Sequence, residues 1–159
     1  MGLSAVRIYL DSCALIYRIE RTTPWAARVD RVVEWGQHQQ AEWVITELTR
    51  LECRVKPLMQ GHAAMLAQYD EFFAADVLVW HGLDRPVCEL ATRLRAEHRL
   101  KTADALHLAA AVHAGCSLFL TNDRRLSGAA QAVGASRPIR VLALDTDTDT
   151  DTDVLNDFP

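Results

Sequence analysis

Val6-Arg7-Ile8-Tyr9-Leu10-Asp11-Ser12 is a short apolar run that ends in a carboxylate and passes directly into a helical pattern. It predicts a buried strand, a tight turn at Asp11 and a helix. A second apolar run, residues 117–121, is followed two positions later by Asp123. Because the carboxyl ends of neighbouring parallel strands meet at one crevice of an open α/β sheet, we expect Asp11 and Asp123 to face each other there.

Short strands alternate with helical patterns along the chain. The predicted strands are residues 6–10, 42–46, 76–81, 117–121 and 139–142. This alternation predicts an α/β fold, a three-layer sandwich with a mainly parallel sheet of about five strands. Residues 1–144 are expected to form one domain, and the Asp-Thr-rich segment 145–159 is predicted to be a disordered acidic tail.

The sequence predicts the boundaries of three helices and the buried face of two of them. A proline at residue 57 and a glycine at residue 61 predict where the helix after the second strand ends. Its inner face is predicted to consist of Leu48, Leu51, Val55 and Leu58. Thr102 is predicted to cap an apolar helix over residues 103–115, which must be buried nearly all round. The helix after the fourth strand is predicted to begin at Asn122 or Asp123.

Composition excludes several classes of protein. The chain has 159 residues, half of them apolar, and a net charge of −4. Six of its 21 acidic residues lie in the last fifteen positions; without them, fifteen acids face 17 bases, a net charge of +2. The four cysteines and six histidines show no zinc-ligand or disulfide spacing. With no signal segment and no apolar run of membrane-spanning length, the sequence predicts a soluble, cytoplasmic protein without membrane contact.

Acidic residues recur where a metal pocket would need them. Asp11, Asp104 and Asp123 are the strongest candidate ligands, whereas helical spacing cannot choose between Glu47 and Glu52 for a fourth. Clustered carboxylates repel one another and therefore require protons or cations. Oxygen ligands without cysteine or histidine suit Mg²⁺, with Mn²⁺ able to substitute, and such a site can cleave phosphodiesters. The expected supports for these ligands are Ser12, Thr121 and Asn122.

Each acid also has an ordinary structural interpretation. Asp11 and Asp123 could cap helices, and Asp104 could be a favourable charge in a first helical turn. Glu52 could be the partner of Thr49 in a capping box. Each of these interpretations is reasonable alone, but none of them predicts the whole set.

Basic residues and histidines have two interpretations as well. Six basic residues flank the acidic segments and could bind phosphates of a nucleic acid or be merely solvated: Arg50, Arg54, Lys56, Lys101, Arg124 and Arg125. Of these, Arg50, Arg54 and Arg124 are the candidate phosphate contacts. His107 and His113 are interpreted as hydrogen-bonded core or interface residues, so neither is given a catalytic role.

Four segments of the chain resemble the acidic blocks of PIN-domain ribonucleases, and VapC-type toxins in particular. They are Tyr9-Leu10-Asp11-Ser12, Thr49-Arg50-Leu51-Glu52, Thr102-Ala103-Asp104-Ala105-Leu106-His107-Leu108-Ala109-Ala110-Ala111 and Thr121-Asn122-Asp123-Arg124-Arg125-Leu126. The resemblance covers residues 6 to about 142, and four blocks in the correct order are much more specific than one.

The resemblance implies a function as well as a fold. It implies that Asp11, Glu52, Asp104 and Asp123 form a Mg²⁺ pocket, and it selects Glu52 over Glu47. It further implies endonucleolytic cleavage of RNA, a cognate antitoxin and a homodimer. Two features depart from the family pattern, Cys13 beside the first acidic block and the Asp-Thr tail.

Two other classes of α/β protein do not fit this sequence. A haloacid-dehalogenase-like phosphatase needs a second Asp two residues after the first, where this chain has Cys13, and a response-regulator receiver needs acids and a lysine that are missing here. Two alternatives stay open: a PIN-fold RNA-processing nuclease without an antitoxin, and a PIN-like module that binds RNA or protein without cleaving.

Overall fold

The computed structural model describes residues 5–133, 139–144 and Leu155. In chain order the elements are β1 (Arg7–Leu10), α1 (Ser12–Ile19), α2 (Trp25–His38), β2 (Glu42–Ile45), α3 (Glu47–Met59), α4 (Ala63–Phe73), β3 (Leu78–Trp80), α5 (Arg85–His98), α6 (Thr102–His113), β4 (Leu118–Thr121), α7 (Leu126–Val133) and β5 (Arg140–Ala143). The strands form one parallel sheet in the order β3-β2-β1-β4-β5. The predicted α/β sandwich is confirmed.

The central strand β1 sends alternate side chains into two hydrophobic layers, as the period of a strand requires. Tyr9 packs with the layer that contains residues of α5, α6 and α7. Ile8 and Leu10 pack with the layer formed by α1, α2, α3 and α4. The helix α6 is buried over residues 107–111, as its uniformly apolar sequence predicts. Both layers reach the carboxyl edge of β1, where Asp11 follows.

The predicted inner face of α3 is wrong. Leu51, Val55 and Leu58 are 56%, 45% and 65% exposed, whereas the buried residues of α3 are Thr49, Cys53 and Pro57. The helix therefore packs through smaller side chains, and its larger apolar residues point outward. We call Leu51, Val55, Leu58 and Met59 the exposed strip of α3.

Two predicted helix starts also require correction. Thr102 is the first residue of α6 rather than its cap, which is Lys101 and makes no side-chain capping bond. The helix α7 begins at Leu126, because Asp123 forms a turn in which its carbonyl accepts the Leu126 amide at 3.3 Å. The predicted end of α3 near Pro57 and Gly61 is confirmed, because the helix includes Pro57, ends at Met59 and is capped by Gln60.

The predicted disorder of residues 145–159 falls outside the described residues, except at Leu155. That side chain is 8% exposed and packs in the layer that contains Ile8 and Leu10. The boundary at residue 144 stays a prediction. Within the described ranges, the helices are too short or too polar to cross a membrane.

Candidate metal centre

The four predicted acids line one cavity of about 500 Å³ at the carboxyl edge of the sheet. Asp11 directly follows β1, and Asp123 lies two residues after β4. Glu52 extends from α3 and Asp104 from the first turn of α6. The fold thus brings together residues that are up to 112 positions apart in the sequence. Glu47 is exposed and is not among the residues that line this cavity.

Asp11 is held in place by the residues around it. It is 8% exposed, and Thr121 Oγ1 donates to its Oδ2 at 2.6 Å while the Ser12 amide donates to Oδ1 at 2.8 Å. Thr121 Oγ1 also accepts the Asp123 amide at 3.2 Å, so one hydroxyl joins the first and last acids. Asp11 is the N-cap of α1 as well. The capping interpretation is therefore correct for Asp11, but it does not explain the neighbouring acids.

Glu52 has two hydrogen-bond donors, one of which comes from the core. Ser12 Oγ donates to Glu52 Oε2 at 2.8 Å, and His107 Nε2 lies 2.6 Å from the same oxygen. Burial alone raises the pKa of Glu52, but the bond and charge of His107, with the Ser12 bond, outweigh burial and hold that pKa below its ordinary value. Glu52 does not form a capping box with Thr49, because the capping box of α3 joins Thr46 to Thr49.

His107 is a hydrogen-bonded core residue, as its sequence context predicted, but it also lines the cavity, which sequence reasoning missed. It is buried in α6, with Nε2 3.7 Å from Asp11 Oδ1 and Nδ1 2.7 Å from the Tyr9 hydroxyl. Burial lowers the pKa of His107, yet the Glu52 bond and the charges of the surrounding acids raise it above its ordinary value. One signal was available: His107 lies three residues after Asp104, a spacing that puts both on one face of a helix.

Asp104 lies near other acids, and no hydrogen bond to its side chain is found within the part of the chain that the structure describes. Burial and the charges of Asp11 and Asp123 raise the pKa of Asp104, and the weaker attractions of His107 and Lys101 do not cancel them. A carboxylate in this position is stabilised by a cation.

Asp123 is paired with an arginine at the mouth of the cavity. Arg125 donates from Nε to Oδ1 at 2.8 Å and from Nη2 to Oδ2 at 2.7 Å, and its amide donates to Oδ1 at 3.0 Å. These bonds lower the pKa of Asp123 against the opposing effect of burial. The Arg125 side chain is 76% exposed, so the pair is open to solvent.

Cys13 and Asn122 complete the lining. Burial, followed by the Asp11 charge, raises the pKa of the Cys13 thiol to about 12, so the thiol stays protonated at neutral pH. The backbone amide of Asn122 donates to Cys13 Sγ at 3.3 Å, and its side-chain Nδ2 donates to the Tyr17 hydroxyl at 3.0 Å. Asn122 Oδ1 is buried and has no hydrogen-bond partner among the residues described, which leaves an acceptor beside the cavity.

The three arginines predicted to contact RNA lie outside the cavity lining. Arg54 Nε is 2.8 Å and Arg50 Nη2 3.8 Å from Asp70 Oδ1, so both pair with α4. Arg124 is exposed beside Asp123. The basic residue that lines the cavity is Arg125.

The donor set fits a divalent cation. Asp11 and Glu52 bring carboxylate oxygens within 4.8 Å of each other, close enough to share one cation, and a His107 ring nitrogen that bonds Glu52 lies within the same distance of both. Asp104 and Asp123 stand farther from this group but line the same cavity. Hard carboxylate oxygens in this number suit Mg²⁺ or Mn²⁺.

Comparison with known proteins supplies a family and three similar folds. The model of the PIN domain family matches residues 8–132. No curated protein matches the sequence. Among solved structures, VapBC2 from Rickettsia felis bound to a promoter DNA fragment matches with a TM-score of 0.61 and 12% identity, over 76% of this chain and 91% of that chain.

Two further structures share the fold. A toxin-antitoxin complex from Klebsiella pneumoniae matches with a TM-score of 0.58 and 19% identity, over 76% of this chain and 91% of the other. PAE2754 from Pyrobaculum aerophilum matches with a TM-score of 0.56 and 21% identity, over 80% and 87%. At these identities the likeness concerns the fold.

Proposed function

The chain belongs to the PIN domain family, and from this premise we propose that it is a divalent-metal-dependent endoribonuclease, the toxin of a VapBC-type pair. The observation that carries the proposal is the single cavity lined by Asp11, Glu52, Asp104 and Asp123. The raised pKa of Asp104 supports it, because mutual repulsion among these acids favours a bound cation.

The cavity residues divide the work of phosphodiester hydrolysis. Bound Mg²⁺ or Mn²⁺ would supply an activated water and neutralise charge on the phosphate and leaving oxygens. Asp11, Asp104 and Asp123 would hold the cation, with Thr121 fixing the Asp11 carboxylate. Glu52 is ionised at neutral pH and can accept a hydrogen bond from the attacking water.

The mouth of the cavity can receive an RNA backbone. Arg125 lines it with an exposed guanidinium, and the charge of Lys101 reaches both Asp104 and Asp123. Cations around an acidic centre hold the phosphates that flank the one being cleaved. Ser12 adds a hydroxyl, and Asn122 adds a carbonyl oxygen that has no partner among the residues described; both can orient water or substrate.

The proposed partners are an antitoxin and a second copy of the chain. Two similar folds come from a VapBC complex and a toxin-antitoxin complex, which supports an antitoxin. The exposed strip of α3 also supports a protein partner, because apolar surface in a row is typical of interfaces. We expect such a pair to act in the cytoplasm, where RNA is available.

Cleavage of end-labelled transfer and ribosomal RNA by the purified protein tests the proposal. We expect cutting with Mg²⁺ or Mn²⁺, none with EDTA, and none with Asp11→Asn, which also controls for contaminating nuclease. Metal binding without cutting of any RNA would instead favour a non-catalytic PIN-like module, and sedimentation of the protein separates monomer from homodimer.

A further inference from the structure

A chain of hydrogen bonds runs from the core of the protein into the cavity. The Tyr9 hydroxyl lies 2.7 Å from His107 Nδ1, and His107 Nε2 lies 2.6 Å from Glu52 Oε2. Tyr9 and His107 are both buried, whereas Glu52 reaches the cavity. The chain joins β1, α6 and α3, and its residues are separated by 98 and 55 positions. We propose that His107 is a positioning residue that fixes the Glu52 carboxylate for the metal-dependent reaction.

The proton on Nε2 follows from the contact with Glu52, because an ionised carboxylate only accepts hydrogen bonds and its Oε2 lies 2.6 Å from Nε2. In neutral imidazole one nitrogen donates and the other accepts, so a Tyr9 hydroxyl that donates to Nδ1 leaves the proton on Nε2. In imidazolium both nitrogens carry protons, and the Tyr9 hydroxyl can turn toward Thr46 Oγ1 at 3.3 Å. Nε2 therefore donates to Glu52 in either state.

This arrangement leaves one oxygen of Glu52 for the cavity. Ser12 and His107 both donate to Oε2, and no donor to Oε1 is found among the residues described. With Oε2 fixed by two bonds, the carboxylate has little freedom to rotate. Oε1 is then the atom that is left for metal or water. By holding Oε2, His107 sets the position of Oε1.

The same geometry argues that His107 does not bind the metal. A metal ligand must offer a lone pair, so Nε2 would have to lose its proton and its 2.6 Å bond to Glu52. Loss of that short, charge-assisted bond opposes the change. The partner of a metal ligand typically contributes 10- to 100-fold to affinity or activity.

A double-mutant cycle on Mn²⁺ affinity tests the proposal, which rests on the proposed function. His107→Leu removes the donor and should weaken Mn²⁺ binding by about 10-fold or more. In the Glu52→Gln background the same change should have little further effect, because His107 acts only through Glu52. His107→Gln, which can donate from its amide, should recover part of the affinity.

Controls separate positioning from loss of stability. Tyr9→Phe should also weaken Mn²⁺ binding, whereas Tyr69→Phe, which removes a buried hydroxyl bonded to Glu20 at 3.0 Å, should not. Unfolding curves show that each variant is folded before its affinity is measured. Nitrogen-15 shifts of the metal-free protein should show a proton on His107 Nε2.

Several results would overturn the inference. Additive effects of His107→Leu and Glu52→Gln would show that His107 acts independently of Glu52. Imidazole nitrogen coupling in the pulsed EPR spectrum of bound Mn²⁺ would make His107 a ligand instead. If the protein binds Mn²⁺ but cuts no RNA, the proposed nuclease function fails while the affinity cycle still decides the role of His107. If it binds no Mn²⁺, both fail.

Discussion

Glu52 and Asp104 are half-buried carboxylates in the same cavity, yet their pKa values shift in opposite directions. Glu52 accepts bonds from Ser12 and His107, so its pKa falls despite burial. Asp104 faces Asp11 and Asp123, so burial and repulsion raise its pKa. Protein donors therefore stabilise the carboxylate on the α3 side of the cavity, whereas the carboxylate on the α6 side is the one that a bound cation would stabilise.

A bound cation should remove the difference between the two sides, and this is the largest effect we expect. At a Mn²⁺ concentration 100 times Kd, the free energy of unfolding should rise by about 2.7 kcal/mol. Asp11→Asn should lose most of that gain while remaining folded, since its remaining oxygen can still accept the Thr121 hydroxyl. Denaturant titrations with Mn²⁺ and with EDTA measure both values, and equal stabilisation of wild type and variant would argue against a metal at Asp11.

Glu52→Gln, which removes the carboxylate charge, should destabilise the protein by about 1 kcal/mol, because His107 loses an ionised partner. Because folding lowers the pKa of Glu52, its ionised form stabilises the protein fully above the ordinary pKa of 4.5. Because folding raises the pKa of His107, its protonated form stabilises the protein fully below the ordinary pKa of 6.5. The cost of Glu52→Gln should therefore be largest between these pH values. It should shrink as the pH falls through the lowered pKa of Glu52 or rises through the raised pKa of His107. Urea unfolding from pH 3 to 9 tests this, and a cost independent of pH would contradict an ionic pair.

Asp104→Asn should change the free energy of unfolding in the opposite direction to Glu52→Gln, and by less. Without metal at pH 7 it should stabilise the protein by about 0.5 kcal/mol, the scale of solvent-screened charge interactions. A raised carboxyl pKa means that the wild type loses stability as the pH rises from the ordinary value of 3.8 through the folded value. The advantage of the Asn variant should thus vanish below pH 3.8. A loss of stability in the metal-free variant at pH 7 would show that Asp104 has a favourable structural partner.

Arg125→Gln should give the smallest change in stability, because its guanidinium is exposed to solvent. Its effect should appear instead in the pKa of Asp123, which the Arg125 bonds hold down and which should rise in the variant. Carbon-13 NMR titration of the Asp123 carboxyl measures the rise. Arg124→Gln, one residue away, is the matched control, and an equal rise in both variants would indicate a general loss of positive charge.

The acids at the strand ends are the part of the site that could be predicted from sequence with most reason. Asp11 follows an apolar run and Asp123 follows another, and parallel strands bring such positions to one edge. Glu52 was different, since helical spacing left Glu47 equally suitable and only the family resemblance selected between them. The structure leaves Glu47 exposed and directs Glu52 into the cavity.

The α3 face shows why hydrophobic periodicity can fail. Leu51, Val55 and Leu58 have helical spacing, but the buried residues are Thr49, Cys53 and Pro57. Periodicity identifies an apolar stripe, but it does not determine whether that stripe packs against the core or stays exposed at the surface.

Local sequence determined the alternation of strands and helices, the central strand with Asp11 at its end, and the apolar character of α6. These depend on the period of side chains within one element, which neighbouring residues fix. Tertiary packing determined that His107 bonds Glu52 and Tyr9, that Arg125 rather than Arg50 or Arg54 lines the cavity, and which face of α3 is buried. These depend on how α3, α6 and β1 meet across the fold, and residues so far apart in sequence leave no periodic signal of their contact.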